Sequence, residues 1–270
     1  MMRRLYQLNR SVPTAQEYAE ILDIEEKWLG QRICELTASA PHFASRTALF
    51  TAMSERLRDE EAAGSEADAY IAEHATLEQF KVIVGEFAVD GLVESLSHLP
   101  IVPRLPHRAG MSVFRVLIDE LGCGNVEQAH SQLYRDLLTE LDMSTELESY
   151  LDDGNEESYA YVNLFHWLAR RAPAPETFLG AYAYFESSVL FAFKCYAVAA
   201  KRLGISHDKY YTEHLYIDDF HSKQMRTALM ELDAERGLDL AKVWAGVELT
   251  SEVAAAATVA AVAKAREVAP

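Results

Sequence analysis

The chain has 270 residues, half of which are hydrophobic, and a formal net charge of -17. This length and composition allow a sizeable buried core, so the sequence predicts a compact soluble protein. The acidic charge argues against binding to a nucleic-acid backbone or to an anionic membrane surface, because both select basic faces. No segment reaches the roughly 18 uninterrupted apolar residues of a membrane span. Neither nucleic acid nor a membrane is therefore expected as a partner.

The cysteines and the two chain ends indicate the cellular compartment. Cys34, Cys123 and Cys195 are far apart, odd in number and form no CxxC pair, so they are predicted to be reduced thiols of a cytoplasmic protein. The N-terminal residues carry positive charge without an apolar segment behind them, and no signal peptide is expected. The alanine-rich C-terminal segment is interrupted by Lys264 and Arg266, which predicts a docked terminal helix rather than a membrane span.

Apolar residues recur at helical spacing along most of the chain. Thr14 and Glu17 form a capping-box pattern at the first helix, and Gly85 and Gly91 mark places where the third can bend. The predicted helices cover about residues 14–37, 45–63, 67–99, 111–142, 159–171, 177–201, 210–236 and 248–268. Alternating segments with hairpin signals and internal repeats are absent from the sequence. The prediction is an all-α protein, a single domain over residues 1–270 with its helical core at about 14–236.

The segment Tyr210 to His221 carries His214, Asp218 and His221 at intervals of four and three residues. On a helix this spacing places the three side chains in one narrow stripe. Two imidazoles and a carboxylate suit iron, manganese or zinc. The alternative interpretation is a polar stripe that faces solvent or pairs with basic residues. A second helix with complementary ligands would favour the metal site.

Two further segments supply such ligands. Glu186 is the one acid in an apolar and aromatic helix, where a carboxylate must be paired, protonated or metal-bound unless that face reaches water. The segment DELGCGNVEQAH contains Glu120, Glu127 and His130, with Glu127 and His130 at i and i+3. Its two glycines are unfavourable inside a helix, so they predict a bulge or a close approach to a ligand.

The combined inventory of glutamates, histidines and an aspartate fits two metal ions, as in di-iron carboxylate sites of helical bundles. Such centres react with dioxygen. Five further histidines lack partners at ligand spacing and are predicted at the surface or the edge of the core: His74, His98, His107, His166 and His207. Cys195 is predicted to be a packing residue, and no catalytic residue beyond the metal ligands is assigned.

Three motifs in this order give the chain a family resemblance: DELGCGN before His130, the lone Glu186 about 56 residues later, and the HLYIDDFH segment. The chain resembles the haem-oxygenase-like di-iron oxidases and oxygenases. These are iron-containing redox enzymes of natural-product pathways, related in fold to haem oxygenase, thiaminase-like proteins and pyrroloquinoline quinone synthase. The resemblance implies a seven-helix bundle, two iron ions that cycle between Fe(II) and Fe(III), dioxygen as co-substrate and an external electron donor.

Carried over to this sequence, the resemblance implies the following ligands: Glu120, His130, Glu186, His214, Asp218 and His221. The acid before the histidine varies in spacing among family members, so Glu120 and Glu127 are both candidates for that position. Some N-oxygenating members recruit one more carboxylate. Here it would be whichever of Glu120 and Glu127 is left, or Glu94 on the preceding helix.

The GCGN-type break before His130 resembles the N-oxygenating branch of the family. The predicted function is oxygenation of an amine of a small amino-acid-derived or heterocyclic substrate, giving a hydroxylamine, nitroso or nitro product. One alternative is oxidative decarboxylation or C–C cleavage of a fatty or amino acid by the same centre. Another is a metal-free helical binding protein. Expected partners are the substrate, a redox partner or chemical reductant and, as the commonest oligomer, a second copy in a homodimer.

Overall fold

Residues 1–268 are described by a computed structural model of the chain, and within them all regular structure is helical. The α-helices are α1 Met2–Asn9, α2 Ala15–Glu25, α3 Gln31–Ser39, α4 Arg46–Ala63, α5 Glu66–Ala69, α6 Leu77–Gly91, α7 His107–Glu120, α8 His130–Glu140, α9 Glu156–Arg170, α10 Pro175–Ala192, α11 Lys194–Leu203, α12 Lys209–Arg236 and α13 Leu240–Arg266. Short 3-10 helices cover Leu99–Arg104, Gly122–Gly124, Val126–Gln128 and Leu147–Tyr150. The prediction of an all-α fold is confirmed.

These helical segments outnumber the seven helices that the resemblance implies, because several long helices are divided. A π-helical turn, Glu26–Gly30, separates α2 from α3 within what was predicted as one helix. The helix predicted over 177–201 turns at Phe193, where α10 ends and α11 begins. No glycine or proline marks that turn in the sequence. The Phe193 ring packs 5.0 Å from the ring of His214, a tertiary contact that helical periodicity does not reveal.

The helix predicted over residues 67–99 is wrong in its extent. Thr76 and Gln79 form a capping box that starts a new helix, and α6 ends at Gly91 rather than continuing to residue 99. Gly85 lies inside α6 without ending it, and the ring of Tyr134 occupies the space where a side chain of Gly91 would lie. The chain beyond Gly91 forms turns, in which Ser95 has a φ of 62°. These turns direct Glu94 and Ser95 toward the interior.

The helices enclose two adjoining groups of buried apolar side chains. One group joins α1, α9, α10 and α13, and the other joins α6, α8, α11 and the start of α12. Phe87, Tyr150 and Leu151 contact both groups. Helix α12 packs against α7, α8 and α10, so its buried side lies where these helices converge.

Helix α13 begins at Leu240, eight residues before the predicted start at 248, and it packs along α10. Two glycines face each other across this contact. A side chain at Gly180 would meet the carbonyl of Val243, and one at Gly246 would meet the carbonyl of Thr177. Among residues 1–268, α13 is the one helix long and apolar enough to span a bilayer by length and composition, a test that core helices also pass.

We expect Gly180→Ala to lower the free energy of unfolding by about 2 kcal/mol or more, because the added methyl group would separate two backbones that touch. The matched control is Gly85→Ala in α6. Its nearest neighbour would be Met143 Cε at 3.5 Å, an ordinary contact, so the helix propensity of alanine should leave stability unchanged or raise it by up to about 1 kcal/mol. Urea unfolding measures both. A greater loss at Gly85 than at Gly180 would contradict this account of the α10–α13 contact.

Candidate metal centre

Helix α12 presents the predicted stripe to the interior. His214, Asp218 and His221 are exposed by only 3%, 1% and 0%, whereas Tyr216 on the opposite side of the helix is 78% exposed. A helix keeps this orientation when the intervals of four and three residues follow its pitch. The alternative of a solvated polar stripe is therefore wrong for the described structure.

The GCGN segment forms a turn between two separate helices, α7 and α8, rather than a bulge within one continuous helix. Gly122, Cys123 and Gly124 have φ values of 64°, 52° and 83°, the left-handed region that glycine adopts without strain. A side chain on Gly122 would also lie 2.5 Å from the backbone nitrogen of Ala129. Gly122 thus allows a close approach of two segments of the protein's own backbone.

This break brings together two side chains that a continuous helix would hold apart. Glu120 is the last residue of α7 and His130 the first of α8, and Glu120 Oε2 lies 2.9 Å from His130 Nδ1. In one helix, ten residues would separate them by about 15 Å along the axis. Glu127 lies on an exposed 3-10 turn, so the expectation that it shares a helix face with His130 is wrong. The structure places Glu120 inward.

Glu186 on α10 is buried and faces His221. His221 Nδ1 lies 3.1 Å from Glu186 Oε2, 3.1 Å from Asp218 Oδ1 and 3.3 Å from Glu120 Oε1. One imidazole nitrogen and three carboxylates thus converge on one point. The alternative in which Glu186 reaches water does not hold, because Glu186 is only 3% exposed.

A second group forms around His214. Its Nε2 lies 3.1 Å from Glu94 Oε1 and 3.0 Å from His130 Nδ1. Glu94 comes from the turns after α6, and it is one of the three acids considered for the additional carboxylate. The helix predicted over residues 67–99 gave no sign that the side chain of Glu94 points inward.

Two sets of residues could each hold a metal ion, and they share one carboxylate. In each set, one oxygen or nitrogen per residue lies within 4.8 Å of the others. The first set is Glu94, Glu120, His130 and His214, and the second is Glu120, Glu186, Asp218 and His221. Because Glu120 belongs to both, with Oε2 toward the first set and Oε1 toward the second, its geometry suits a bridge between two ions.

Unsatisfied buried atoms show that the residues fit such ions. Glu94 Oε2, Glu120 Oε1 and both carboxylate oxygens of Asp218 have no hydrogen-bond partner within the described residues. Buried carboxylates without partners are costly, and metal coordination is one way to satisfy them. The four carboxylates of the two sets carry the charge that two divalent cations would neutralise, with neutral imidazoles completing the ligands.

Neighbouring groups orient the ligands. His214 Nδ1 donates to the carbonyl of Tyr210 at 2.6 Å, which leaves Nε2 free to face Glu94 and His130. The Tyr210 hydroxyl donates to Glu94 Oε1 at 3.2 Å, and Ser95 Oγ donates to Glu120 Oε2 at 3.3 Å. His221 Nε2 faces Asp119 Oδ2 at 3.7 Å. These contacts were not predicted from the sequence, although Tyr210 lies one helical turn before His214.

Protons and metal ions compete for the same atoms here. Burial lowers the pKa of His221, but the adjacent carboxylates of Asp218 and Glu186 outweigh burial and raise that pKa to about 11. Burial and then the charge of Asp218 raise the pKa of Glu186 to about 7. Burial also opposes ionisation of Glu120, yet the charges of His130, His214 and His221 hold its pKa well below the usual value. Metal binding would displace protons from the imidazoles, because a ligating nitrogen must be unprotonated.

Three neighbouring spaces lie between the surface and these ligands. A groove of about 630 Å³ adjoins an inner pocket of about 110 Å³, and they share Asp68 and the small residues Ser188, Ala192, Ala254 and Thr258. The inner pocket shares Asp90, Glu94, Tyr161 and Phe185 with a space of about 10 Å³ that also touches Glu120, Glu186 and His214. That last space is close to the size that holds one water molecule.

One histidine predicted at the surface or core edge lines this small space. His98 is 6% exposed, and its ring stacks on Phe165 with centroids 4.2 Å apart. Burial lowers its pKa to about 3, so the imidazole is neutral at ordinary pH. Ligand spacing could not identify His98, because its neighbours come from other segments of the chain. His166 is also buried, contrary to its prediction.

A helical bundle with a buried set of carboxylates and imidazoles is the arrangement in which proteins of this architecture hold non-haem metal centres. A family model described as iron-containing redox enzyme matches residues 82–255, more than half of the chain and the part that holds both sets. The chain belongs to this family, as the resemblance implies, and it is an oxidoreductase with a haem-oxygenase-like fold.

One relative has a named activity. The nitrosourea synthase of Streptomyces achromogenes subsp. streptozoticus is 28% identical over 148 residues, which cover 54% of this chain and 31% of the relative. The present chain therefore matches less than a third of that protein's length.

Proposed function

We propose that the protein is a non-haem di-iron, dioxygen-dependent N-oxygenase of a biosynthetic pathway. It would convert an amine nitrogen of a small amino-acid-derived or heterocyclic substrate to a hydroxylamine, nitroso or nitro product. The observation that carries this proposal is the pair of four-residue sets that share Glu120. Membership in a family of iron-containing redox enzymes and similarity to a nitrosourea synthase support it.

We further propose that the residues of both sets are the iron ligands. His130 Nδ1, His214 Nε2 and His221 Nδ1 would supply the nitrogen atoms, and the four carboxylates would supply the oxygen atoms. Bound iron would supply the redox chemistry that activates dioxygen, with electrons from an external donor. In a first hydroxylation one oxygen atom enters an N–H bond and the other leaves as water, which consumes two electrons and two protons.

The protein's own side chains exclude water and position the substrate. Half of the residues that line the inner pocket are aromatic, and its inner end reaches Glu94 and the small space beside Glu120 and Glu186. A substrate nitrogen in this pocket would lie next to the proposed ligands in a dry environment, where competing reactions with solvent are suppressed.

The alternative of fatty-acid or amino-acid decarboxylation is less well supported. Within the described residues the inner pocket has no lysine, arginine or histidine to hold a substrate carboxylate, and it contains three acids. The alternative of a metal-free binding protein is disfavoured by the family, which is described as iron-containing.

We expect the protein, loaded anaerobically with ferrous iron and then mixed with oxygen and a reductant, to form N-oxidised products from small amines. Mass spectrometry with ¹⁸O₂ would show the label on nitrogen. Fatty and amino acids in parallel reactions serve as the comparison. Release of carbon dioxide or an aldehyde without label on nitrogen would reject N-oxygenation in favour of the decarboxylation alternative.

A further inference from the structure

Asp90 is a carboxylate of the inner pocket that belongs to neither proposed metal set. It lies at the end of α6, four residues before Glu94, and it also borders the small space beside the metal ligands. Its side chain forms no hydrogen bond or ion pair with any residue in the range 1–268. Asp90 is half-buried, and burial and then the charge of Glu94 raise the pKa of its carboxyl group well above the usual value. A cation bound beside it would favour the ionised form, so this side chain is suited to a ligand that carries positive charge.

A second free carboxylate stands at the outer end of the same pocket. Asp68 lines both the inner pocket and the surface groove. Its closest side-chain partner among the described residues is the thiol of Cys195 at 4.0 Å, a weak interaction. Asp68 therefore lies on the side of the inner pocket toward the groove, and Asp90 lies on the side toward the proposed metal ligands.

The side chains that line the inner pocket between Asp68 and Asp90 favour a ligand with a positive charge. They include the rings of Phe87, Tyr161, Phe185, Phe193, Tyr196 and Tyr210. Aromatic faces attract cations, most strongly where water is excluded. No basic side chain among the residues that the structure describes lines the pocket to compensate an anion. A substrate carboxylate placed here would face Asp68, Asp90 and Glu94 at low dielectric, with nothing to pair it.

We infer that the inner pocket selects a substrate with a cationic head group, an amine or guanidine without a free carboxylate at its buried end, which Asp90 binds beside the proposed iron ligands. Asp68 attracts the cation at the mouth of the pocket. This inference rests on the proposed function and narrows its substrate class. It also makes Asp90 a determinant of specificity rather than a metal ligand.

The test compares two probes of nearly equal shape and different charge, butylguanidinium and N-butylurea. Each is titrated calorimetrically into the iron-loaded protein without oxygen, so binding is measured apart from turnover. We expect butylguanidinium to bind at least about tenfold more tightly than the urea, as a charge-assisted hydrogen bond to a buried carboxylate predicts. Equal affinities for the two probes would overturn the inference.

Variants identify the residues that cause the preference for butylguanidinium over N-butylurea. Asp90→Asn should remove most of the preference for butylguanidinium while leaving the weak binding of N-butylurea unchanged. Asp68→Asn, in a half-buried position that tolerates the change, should reduce the preference to a smaller extent. Asp59→Asn on the exposed side of α4 changes the net charge equally and should have no effect. An unchanged preference in Asp90→Asn that retains its iron would also overturn the inference.

Iron content separates this inference from the proposed function. If the unmodified protein binds no iron, the proposed function fails whatever the probes show. If iron binds and amines are N-oxygenated while both probes bind equally, only the assignment of Asp90 and the cationic substrate class fails.

Discussion

Replacing Glu120 by glutamine is expected to abolish binding of both iron ions. Glutamine keeps the shape of the side chain but removes the charge. Glu120 is the one residue common to the two sets, with one oxygen 2.9 Å from His130 and the other 3.3 Å from His221. Loss of an anionic ligand shared by both sets should weaken the binding of both ions, whereas loss of a ligand that belongs to one set should weaken the binding of one ion.

Variants of residues that belong to only one set provide the comparison with Glu120→Gln. Glu94→Gln should release iron from the first set alone, and Asp218→Asn from the second alone, so each should retain about one iron per chain. Glu127→Gln is the control, because Glu127 is exposed on the turn after Asn125 and should retain both. Equilibrium dialysis against ferrous iron without oxygen, followed by iron analysis, measures the stoichiometry. Two tightly bound irons in Glu120→Gln would refute a bridging role.

The stripe formed by His214, Asp218 and His221 could be predicted from the sequence because its geometry depends only on residues of one helix. The intervals between His214, Asp218 and His221 and the pitch of a helix are sufficient to place the three side chains on one side. Glu186 could be predicted for a related reason, since an acid among apolar and aromatic residues indicates a buried partner. Both inferences use only neighbours on one helix.

Glu94 and the choice between Glu120 and Glu127 depend on where helices end. Continuous apolar periodicity suggested a helix to residue 99, but the Gly91 turn ends it and carries Glu94 inward. The spacing of Glu127 and His130 would place them on one face of a helix that the structure does not form. Three consecutive left-handed residues redirect the chain instead, and Glu120 takes the inward position. Spacing is informative only within an element whose boundaries are known.

The aromatic pocket was beyond prediction for a different reason. Its walls come from α6, α8, α9, α10, α11 and α12, and the sequence gives no measure of which aromatic faces remain uncovered after packing. Asp68 and Asp90 look like ordinary surface acids in the sequence. Only the packing of the helices, with small residues of α10 and α13 between the groove and the inner pocket, shows that they border one cavity.

A substitution in the turn between α7 and α8 is the second change for which we expect a large effect. Gly122 affects both the stability of this turn and the positions of Glu120 and His130. We expect Gly122→Ala to lower the free energy of unfolding by about 2–3 kcal/mol, since alanine is strained at a φ of 64°. Its methyl group would also lie 2.5 Å from the backbone nitrogen of Ala129. Relief of that overlap must move Ala129, and with it His130, away from Glu120.

The expected consequence is a loss of iron affinity of at least about tenfold at the first set, because the 2.9 Å approach of Glu120 and His130 depends on this turn. Gly124→Ala is a matched control. Gly124 has a φ of 83°, but a side chain there would have no neighbour within 4 Å. It should therefore reduce stability by about 1–2 kcal/mol and leave iron binding unchanged.

Urea unfolding and anaerobic iron titration of the two variants separate backbone strain from displacement of the ligands. If strain alone mattered, Gly122→Ala and Gly124→Ala would behave alike in both measurements. A selective loss of iron in Gly122→Ala would show that the close approach at Ala129 positions His130. Equal iron affinity in both variants would mean that the GCGN turn serves stability only, and the meeting of Glu120 and His130 would then have to be maintained by the packing of α7 and α8 against α12.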